Sequence, residues 1–368
     1  ILTNQAPQYI IQIVALCLAA GEKVVLSSAF STAAIYFRFG IELLGPPKEA
    51  FQTHYALALN LYNAAAEMEC CLGNFDAVDN FVADVLAYAG TFEDKLRIYE
   101  THIYSLGSRQ DIARAVQLGL DVLKELGEHF PRGNIGMLKV LSQVLWTKRN
   151  LSRTNKAKVL GLKPLRDWNK AAALRIMQLI FPHANRHNAE LAVLLATRGI
   201  HITLKYGLSE MACFGFITFG IILCNPLGQI DEGNRIMEIA LGIQEKLDAK
   251  PIKCRVMLCR WAFSKSWKVP LEESIQPLLA AAQTGLLSGD IEMACLSMYC
   301  CSCVSFSTGR PLVEIDQEMA GYHQEFSLRH QETLLFYLKI SRQAVHNFRG
   351  SSKDPLVLSG DWMEETSS

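Results

Sequence analysis

The sequence has no net charge, because 36 Lys and Arg residues offset 36 Asp and Glu over 368 residues. That balance argues against a chain-wide nucleic-acid surface and leaves room only for a local basic patch. There is no Gly-rich run ending in Gly-Lys-Ser or Gly-Lys-Thr, so the backbone nest and lysine that cradle a nucleoside triphosphate are missing. A His-Glu-x-x-His segment, a nucleophile elbow and a kinase catalytic loop are absent as well. The most apolar run, 211–224, is shorter than the roughly 20 residues that cross a bilayer, and reads as a buried helix with no membrane insertion. The chain opens at Ile1 without a Met, a charged leader or a cleavage site, so the expectation is a segment of a larger cytoplasmic protein.

Eleven cysteines are present, and most lie inside apolar helical stretches rather than between loops. Cys17, Cys70, Cys71, Cys213, Cys224, Cys254, Cys259 and Cys295 are flanked by Leu, Ala, Met and Phe, as buried free thiols of a reducing compartment are. Cys300, Cys301 and Cys303 cluster without a nearby His or second Cys pair to complete a tetrahedral metal site. Cys254 and Cys259 stand about 140° apart around an ideal helix, which makes them poor joint ligands. His183, His187 and His201 have no acidic partner at zinc-helix spacing, so capping, surface or packing roles are expected of them. No cofactor or metal is expected.

Against these absences stand 50% hydrophobic residues arranged at three- and four-residue spacing. Tyr55, Ala58, Leu59, Tyr62, Ala65, Ala66, Glu69 and Leu72, with Glu69 the one polar exception, mark one helix, and Leu72-Gly73-Asn74-Phe75-Asp76 closes it before the next begins. Further helices are expected near 93–105, ending at Gly107, and over 109–126. Gly73 and Gly107 are 34 residues apart, one helix pair per repeat. Downstream, 189–205, 208–225 and 232–247 read as helices, and Leu227-Gly228-Gln229-Ile230-Asp231 repeats the chemistry of the first turn string. Later helices fall at 253–264, 271–284, 290–305, 312–326 and 331–347, with breaks that include Gly289 and Gly309. The fold class expected is all-α, a solenoid of antiparallel helix pairs.

Four regions follow: N-terminal helical repeats over 1–145, a basic helical connector over 146–186, C-terminal repeats over 187–348 and a polar tail over 349–368, whose end from Asp361 reads as a tether. Between Trp146 and Arg175 stand nine basic residues, Lys148, Arg149, Arg153, Lys156, Lys158, Lys163, Arg166, Lys170 and Arg175, against Asp167 alone. This stretch reads as a solvated face, with an acidic partner or phosphate-bearing ligand as the alternative. Trp261, Phe263 and Trp267 read as gap fillers at a repeat turn, with a peptide-binding aromatic ridge as the alternative.

Several stretches resemble a known family: Ser28-Ala29-Phe30 through Gly40-Ile41-Glu42-Leu43-Leu44, Ala65-Ala66-Glu67 through Phe75, Ala115-Val116-Gln117-Leu118-Gly119-Leu120 through Leu126-Gly127, and Gly289-Asp290 through Gly309-Arg310-Pro311-Leu312. They look like the tetratricopeptide-like repeat region of large signalling proteins. In that family an AAA-type predicted ATPase domain, often behind a serine/threonine kinase domain, precedes the repeats, and sensor and histidine-kinase domains follow. The likeness covers most of 10–348; Phe51 stands where the family often has Trp. It implies a non-catalytic regulatory or interaction scaffold whose partners are proteins, peptides or flanking domains, with ATP chemistry before Ile1 and any phosphoaccepting histidine beyond Ser368. A freestanding peptide-binding adaptor and an enzyme assembled from separated helices are the alternatives.

Overall fold

A computed structural model describes residues 5–27, 29–133 and 135–364. Among these the chain is all-α, without a named strand; an isolated bridge joins Pro164 to Leu208. The chain divides into two compact units, one of residues 1–131 with 175–189, the other of residues 132–174 with 190–368.

The first unit contains α1 (Gln5–Val25), α2 (Phe30–Leu44), the short α3 (Pro47–Thr53), α4 (Tyr55–Cys71), α5 (Phe75–Tyr88), α6 (Phe92–Ser108) and α7 (Ile112–Glu125). Successive helices pack as pairs, and α2, α4 and α6 also pack in a row. The amino-acid pattern dictates this: α4 buries Ala58, Ala64, Ala65 and Ala66, small residues that let neighbours approach from two sides, together with the large Leu61 and Tyr62. Phe51 sits at the centre of the aromatic packing, edge-on to Tyr62 at 5.3 Å and to Tyr55 at 6.0 Å. Glu69 is fully buried, held by Arg38 of α2 at 3.0 Å and by the Asn74 side-chain amide at 2.7 Å.

The second unit contains α8 (Met137–Ser152), α9 (Lys156–Leu160), α11 (Ala189–Tyr206), α12 (Ala212–Cys224), α13 (Ile230–Leu247), α14 (Lys250–Phe263), α15 (Ile275–Ser288), α16 (Ile291–Ser307), α17 (Leu312–Leu328) and α18 (Glu332–Phe348). The unit boundary falls inside α10 (Trp168–His187). Here α12, α14, α16 and α18 form the row, with α13, α15 and α17 between them in sequence. Helix α12 is apolar all round and correspondingly buried; Phe216 and Phe219 are fully enclosed, each worth roughly 1.5–3 kcal/mol of burial. Backbone contact fixes its seat. A Cβ on Gly233 of α13 would lie 2.7 Å from the Gly220 carbonyl oxygen, and one on Gly215 would lie 2.9 Å from the Ile200 nitrogen of α11.

The turns show what the glycine pattern captures and where it misleads. After α4, Gly73 has a φ of 77°, its N–H donates to the Cys70 carbonyl at 3.1 Å, and the Asn74 N–H donates five residues back to Glu69 at 2.9 Å. This paired closure satisfies carbonyls the helix end leaves open. The same geometry recurs after α6, but its left-handed residue is Gln110, with a φ of 66°, and the Asp111 N–H reaches Leu106 at 2.9 Å. Gly107 therefore does not end the helix; it lies buried inside α6, where a Cβ would meet the His183 ring at 2.2 Å. After α17 the left-handed residue is His330, with a φ of 53°. Gly228, Gly289 and Gly309 are left-handed too, at 64°, 81° and 74°. Asp76 and Asp231 fall in the first turns of α5 and α13, where a carboxylate favours the helix dipole. The two matched strings differ in closure, since the Gln229 N–H bonds six residues back, to Leu223 at 2.8 Å.

The C-terminal residues depart from the tether expected of them as far as they are described. Trp362 lies over the Arg342 guanidinium at 3.5 Å, its indole N–H meets His346 Nε2 at 3.2 Å, and the Asn347 amide donates to the Val357 carbonyl at 2.8 Å. The segment thus folds back along α18. Residues 365–368 lie outside the described residues.

Substitution at the turns should move stability in opposite directions. Gly73→Ala forces a Cβ into the left-handed region and should cost about 1–2 kcal/mol. Gln110→Gly relieves the same strain and should gain about 1 kcal/mol, less than the strain itself because glycine frees the unfolded chain. Urea unfolding of the intact chain, fitted to more than two states where the curve requires it, measures both. Two changes of the same sign would show that the turns are not equivalent.

Candidate functional site

Helix α8 carries two apolar faces. Val140, Val144, Thr147 and Leu151 recur at four, three and four residues and are buried. Leu138, Leu141 and Leu145 recur on the other side and stay exposed, Leu138 at 85% and Leu145 at 64%, with Met137 and Trp146 beside them. A helix that buries one stripe and presents a second is equipped to pack twice.

The inner face is fastened at three points. Thr147 donates its hydroxyl hydrogen to the Gln143 carbonyl at 2.7 Å, so the 2.9 Å contact with His201 Nε2 requires that ring nitrogen to carry the proton. Lys148 Nζ donates to Gln229 Oε1 at 2.6 Å, and Arg235 donates to the Leu151 carbonyl at 3.3 Å. The Trp146 ring meets His201 edge-on at 4.0 Å, which holds a half-exposed indole in place. Burial, and then the charge of Arg198, pull the His201 pKa down to about 4, so the imidazole is neutral near pH 7.

Basic residues follow from the C-terminal end of α8. Arg149, Arg153, Lys156 and Lys158 are all exposed, and Asn155 Oδ1 caps α9 by accepting from the Lys158 N–H at 2.9 Å. Arg149, Arg153 and Lys156 have no ion-pair partner among the described residues. No Asp or Glu occurs between Glu128 and Asp167, so nothing within the stretch offsets them. The sequence singled out these cations; the leucine stripe beside them escaped notice. Its signal was the second set of apolar positions on one helix, Leu138, Leu141 and Leu145.

The aromatic trio does not form one ridge. Trp261 packs against the core around Cys254 and Leu258, whereas Phe263 and Trp267 are exposed. The Trp267 indole N–H donates to Asn225 Oδ1 and the Asn225 amide donates to the Phe263 carbonyl, each at 3.2 Å, tying this turn to the end of α12. His183 is buried against Gly107, His187 is exposed, and His201 serves α8, so each of the three has a different setting. Among the described residues no group of three His, Cys, Asp or Glu is placed to hold a metal ion. Burial pushes the Cys254, Cys259, Cys295 and Cys300 thiols up to about 12, which keeps them protonated near neutral pH.

Comparison with known proteins finds no matching family model, no matching curated protein and no matching solved structure.

The His201 environment sets a pH dependence. Its folded pKa lies below the ordinary value of 6.5, so the unfolded chain takes up the proton first. The stabilisation is present above pH 6.5 and is lost as pH falls from there towards 4. A shift of this size corresponds to about 3 kcal/mol, reduced to roughly 2 kcal/mol by solvent screening at a partly buried ring. Urea unfolding at pH 7 and pH 4.5 should show wild type losing more stability than His201→Gln; equal losses would reject the assignment.

Proposed function

We propose that this chain is a non-catalytic helical-repeat scaffold that docks an acidic amphipathic helix of a partner protein on the outer face of α8. The observation that carries the reading is the exposed Leu138, Leu141 and Leu145 stripe running into the unpaired cations Arg149, Arg153 and Lys156. An amphipathic helix laid against such a stripe buries its own apolar face, and carboxylates at one of its ends meet the basic groups. Lys139 lies beside the N-terminal end of the stripe, but Arg149, Arg153, Lys156 and Lys158 gather at its C-terminal end, a weighting that favours a helix with a charged end over a lipid surface. Burying the leucines supplies most of the affinity, and the charges set orientation and association rate.

The tetratricopeptide-like reading is supported by rows of alternate helices that pack on one another in each unit, as stacked pairs do. A place within a multidomain ATPase or kinase signalling protein is the setting its sequence resemblance suggests. There, a docked partner helix would link the repeats to a regulated neighbour.

A synthetic 18-residue peptide with leucines on one helical face and glutamates clustered at one end is the probe. Fluorescence anisotropy should give a Kd on the order of 10 µM, weakened about tenfold in 0.5 M NaCl. Leu145→Asp, or Arg149→Glu combined with Arg153→Glu, should each weaken binding by at least about tenfold with an unchanged circular-dichroism spectrum. Absence of saturable binding, indifference to these substitutions, or preferential uptake by phosphatidylcholine–phosphatidylserine vesicles would overturn the proposal.

A further inference from the structure

The segment that follows α18 is held by polar side chains rather than by burial. The Asn347 amide donates to the Pro355 carbonyl at 3.2 Å and to the Val357 carbonyl at 2.8 Å, and Gln343 Oε1 accepts from the Trp362 backbone N–H at 3.2 Å. Gln343 Nε2 donates in turn to Asn347 Oδ1 at 2.9 Å, so two linked amides on α18 grip one length of backbone. The Trp362 ring lies against Arg342 and His346 of α18 and His323 of α17. None of residues 351–364 is itself buried, and Leu356 is 93% exposed. A segment tied this way commits little apolar area and belongs to the least stable part of the molecule.

One tie competes with a neighbour. His346 Nε2 stands 3.2 Å from the Trp362 indole nitrogen and 3.1 Å from Asp316 Oδ1. The indole nitrogen only donates and the carboxylate only accepts, so the ring nitrogen either takes the Trp362 hydrogen on its lone pair or gives a hydrogen to Asp316. Asp316 does not depend on it. Arg342 Nε donates to Asp316 Oδ1 at 2.8 Å, and Arg349 donates to Oδ2 at 2.7 Å. A neutral imidazole with its hydrogen on Nδ1 therefore satisfies Trp362, whereas an imidazolium carries hydrogen on both nitrogens and sets N–H against N–H. The edge of an aromatic ring is its positive side, so the charge adds repulsion to the lost bond.

We propose that residues 355–362 form a strap latched onto α18 by Trp362 and released when His346 takes up a proton. Release uncovers Arg342 and the Gln343 and Asn347 amides, the surface that the strap holds shut.

The surrounding charges leave this direction unchanged. Asp316, Arg342 and Arg349 belong to α17 and α18 and stay when the strap leaves, so they act on the His346 proton in both states. Trp362 acts in one state only, and proton uptake accordingly favours release. Helix α16 packs on α17 and α18 and brings the Tyr299 and Phe306 rings to Tyr337 and Phe348. Burial raises the pKa of Tyr299 and of Cys303, which keeps both neutral, and Glu292, the one charged residue of α16, lies in its first turn. Burial, then Lys339 and Arg342, lower the His323 pKa, so that ring charges at lower pH than an ordinary imidazole. On the strap and beside it, Lys353, Asp354, Asp361 and Glu364 are exposed, where solvent screens them.

Fluorine NMR of the full chain labelled with 5-fluorotryptophan tests the latch, with the Trp362 line assigned by Trp362→Phe. Between pH 8 and pH 5, where histidines change charge, the ratio of docked to released Trp362 should fall at least about tenfold. The line of Trp261, packed in the core around Leu258, should hold its position. His346→Gln keeps an acceptor for the indole and does not titrate, so its ratio should change less than about twofold. Nitrogen NMR of the wild-type His346 ring should show Nε2 bare at pH 8 and carrying hydrogen at pH 5. A Trp362 line indifferent to pH, a response that survives in His346→Gln, a Trp362 line that moves only together with that of Trp261, or an Nε2 already carrying hydrogen at pH 8 would each overturn the proposal.

Discussion

Two antiparallel helices hide only the seam between them, and this constraint organises both units. Each pair retains apolar surface that a neighbouring pair must cover, so the cores extend by stacking rather than by enclosing one centre. Helix α12 shows the limit of the principle: apolar on every side, it is stable in water only because α11, α13 and α14 surround it. The exposed face of α8 obeys the same rule from the other direction. It looks like an interior face because it has the composition of one.

Polar groups secure what burial assembles. Arg97 reaches Glu67 at 2.6 Å, Arg109 reaches Asp79 at 2.7 Å and Arg255 reaches Asp290 at 2.8 Å, each joining one helix or helix end to another. The first two are partly exposed and contribute little to stability, the third is largely buried, and in each a guanidinium forked onto a carboxylate accepts only one register. Asp316 gathers three partners, meeting Arg342 at 2.8 Å, His346 at 3.1 Å and Arg349 at 2.7 Å. Burial alone would raise its pKa; Arg342 and then His346 hold the carboxyl below the usual range. The same Arg342 receives Trp362, so the fold-back of the C-terminal residues is built on a charge network that α17 and α18 have already formed.

The helical class was legible because apolar spacing is a property of the local sequence, and the turns at Gly73, Gly228, Gly289 and Gly309 were legible because glycine there has a steric reason. Gln110 and His330 adopt the same left-handed conformation without that signature, their strain being repaid by the closing hydrogen bonds, and so the turn after α6 was assigned to Gly107 instead. Trp362 was hidden for a different reason. Its partners on α18 lie some twenty residues away in sequence, and no local pattern announces a segment that folds back. At the candidate site the basic residues were conspicuous as a run, whereas Leu138, Leu141 and Leu145 resembled any other apolar helix positions until the buried face of α8 was seen to be a separate set.

The glycine contacts of α12 also determine where the second unit can bend. Where one backbone rests directly on another, at Gly220 with Gly233 and at Gly215 with Ile200, there is no side chain to rotate out of the way and no cushion to compress. Sliding there would bring carbonyl oxygens into collision, so α11, α12 and α13 form a stiff block. The contact of α8 with α11 rests on Thr147, His201 and Trp146, groups joined by one hydrogen bond and one ring edge. The α11–α13 block is therefore seated backbone against backbone, whereas α8 is fastened to it through side chains, at Thr147, at Lys148 on Gln229 and at Arg235 on the Leu151 carbonyl.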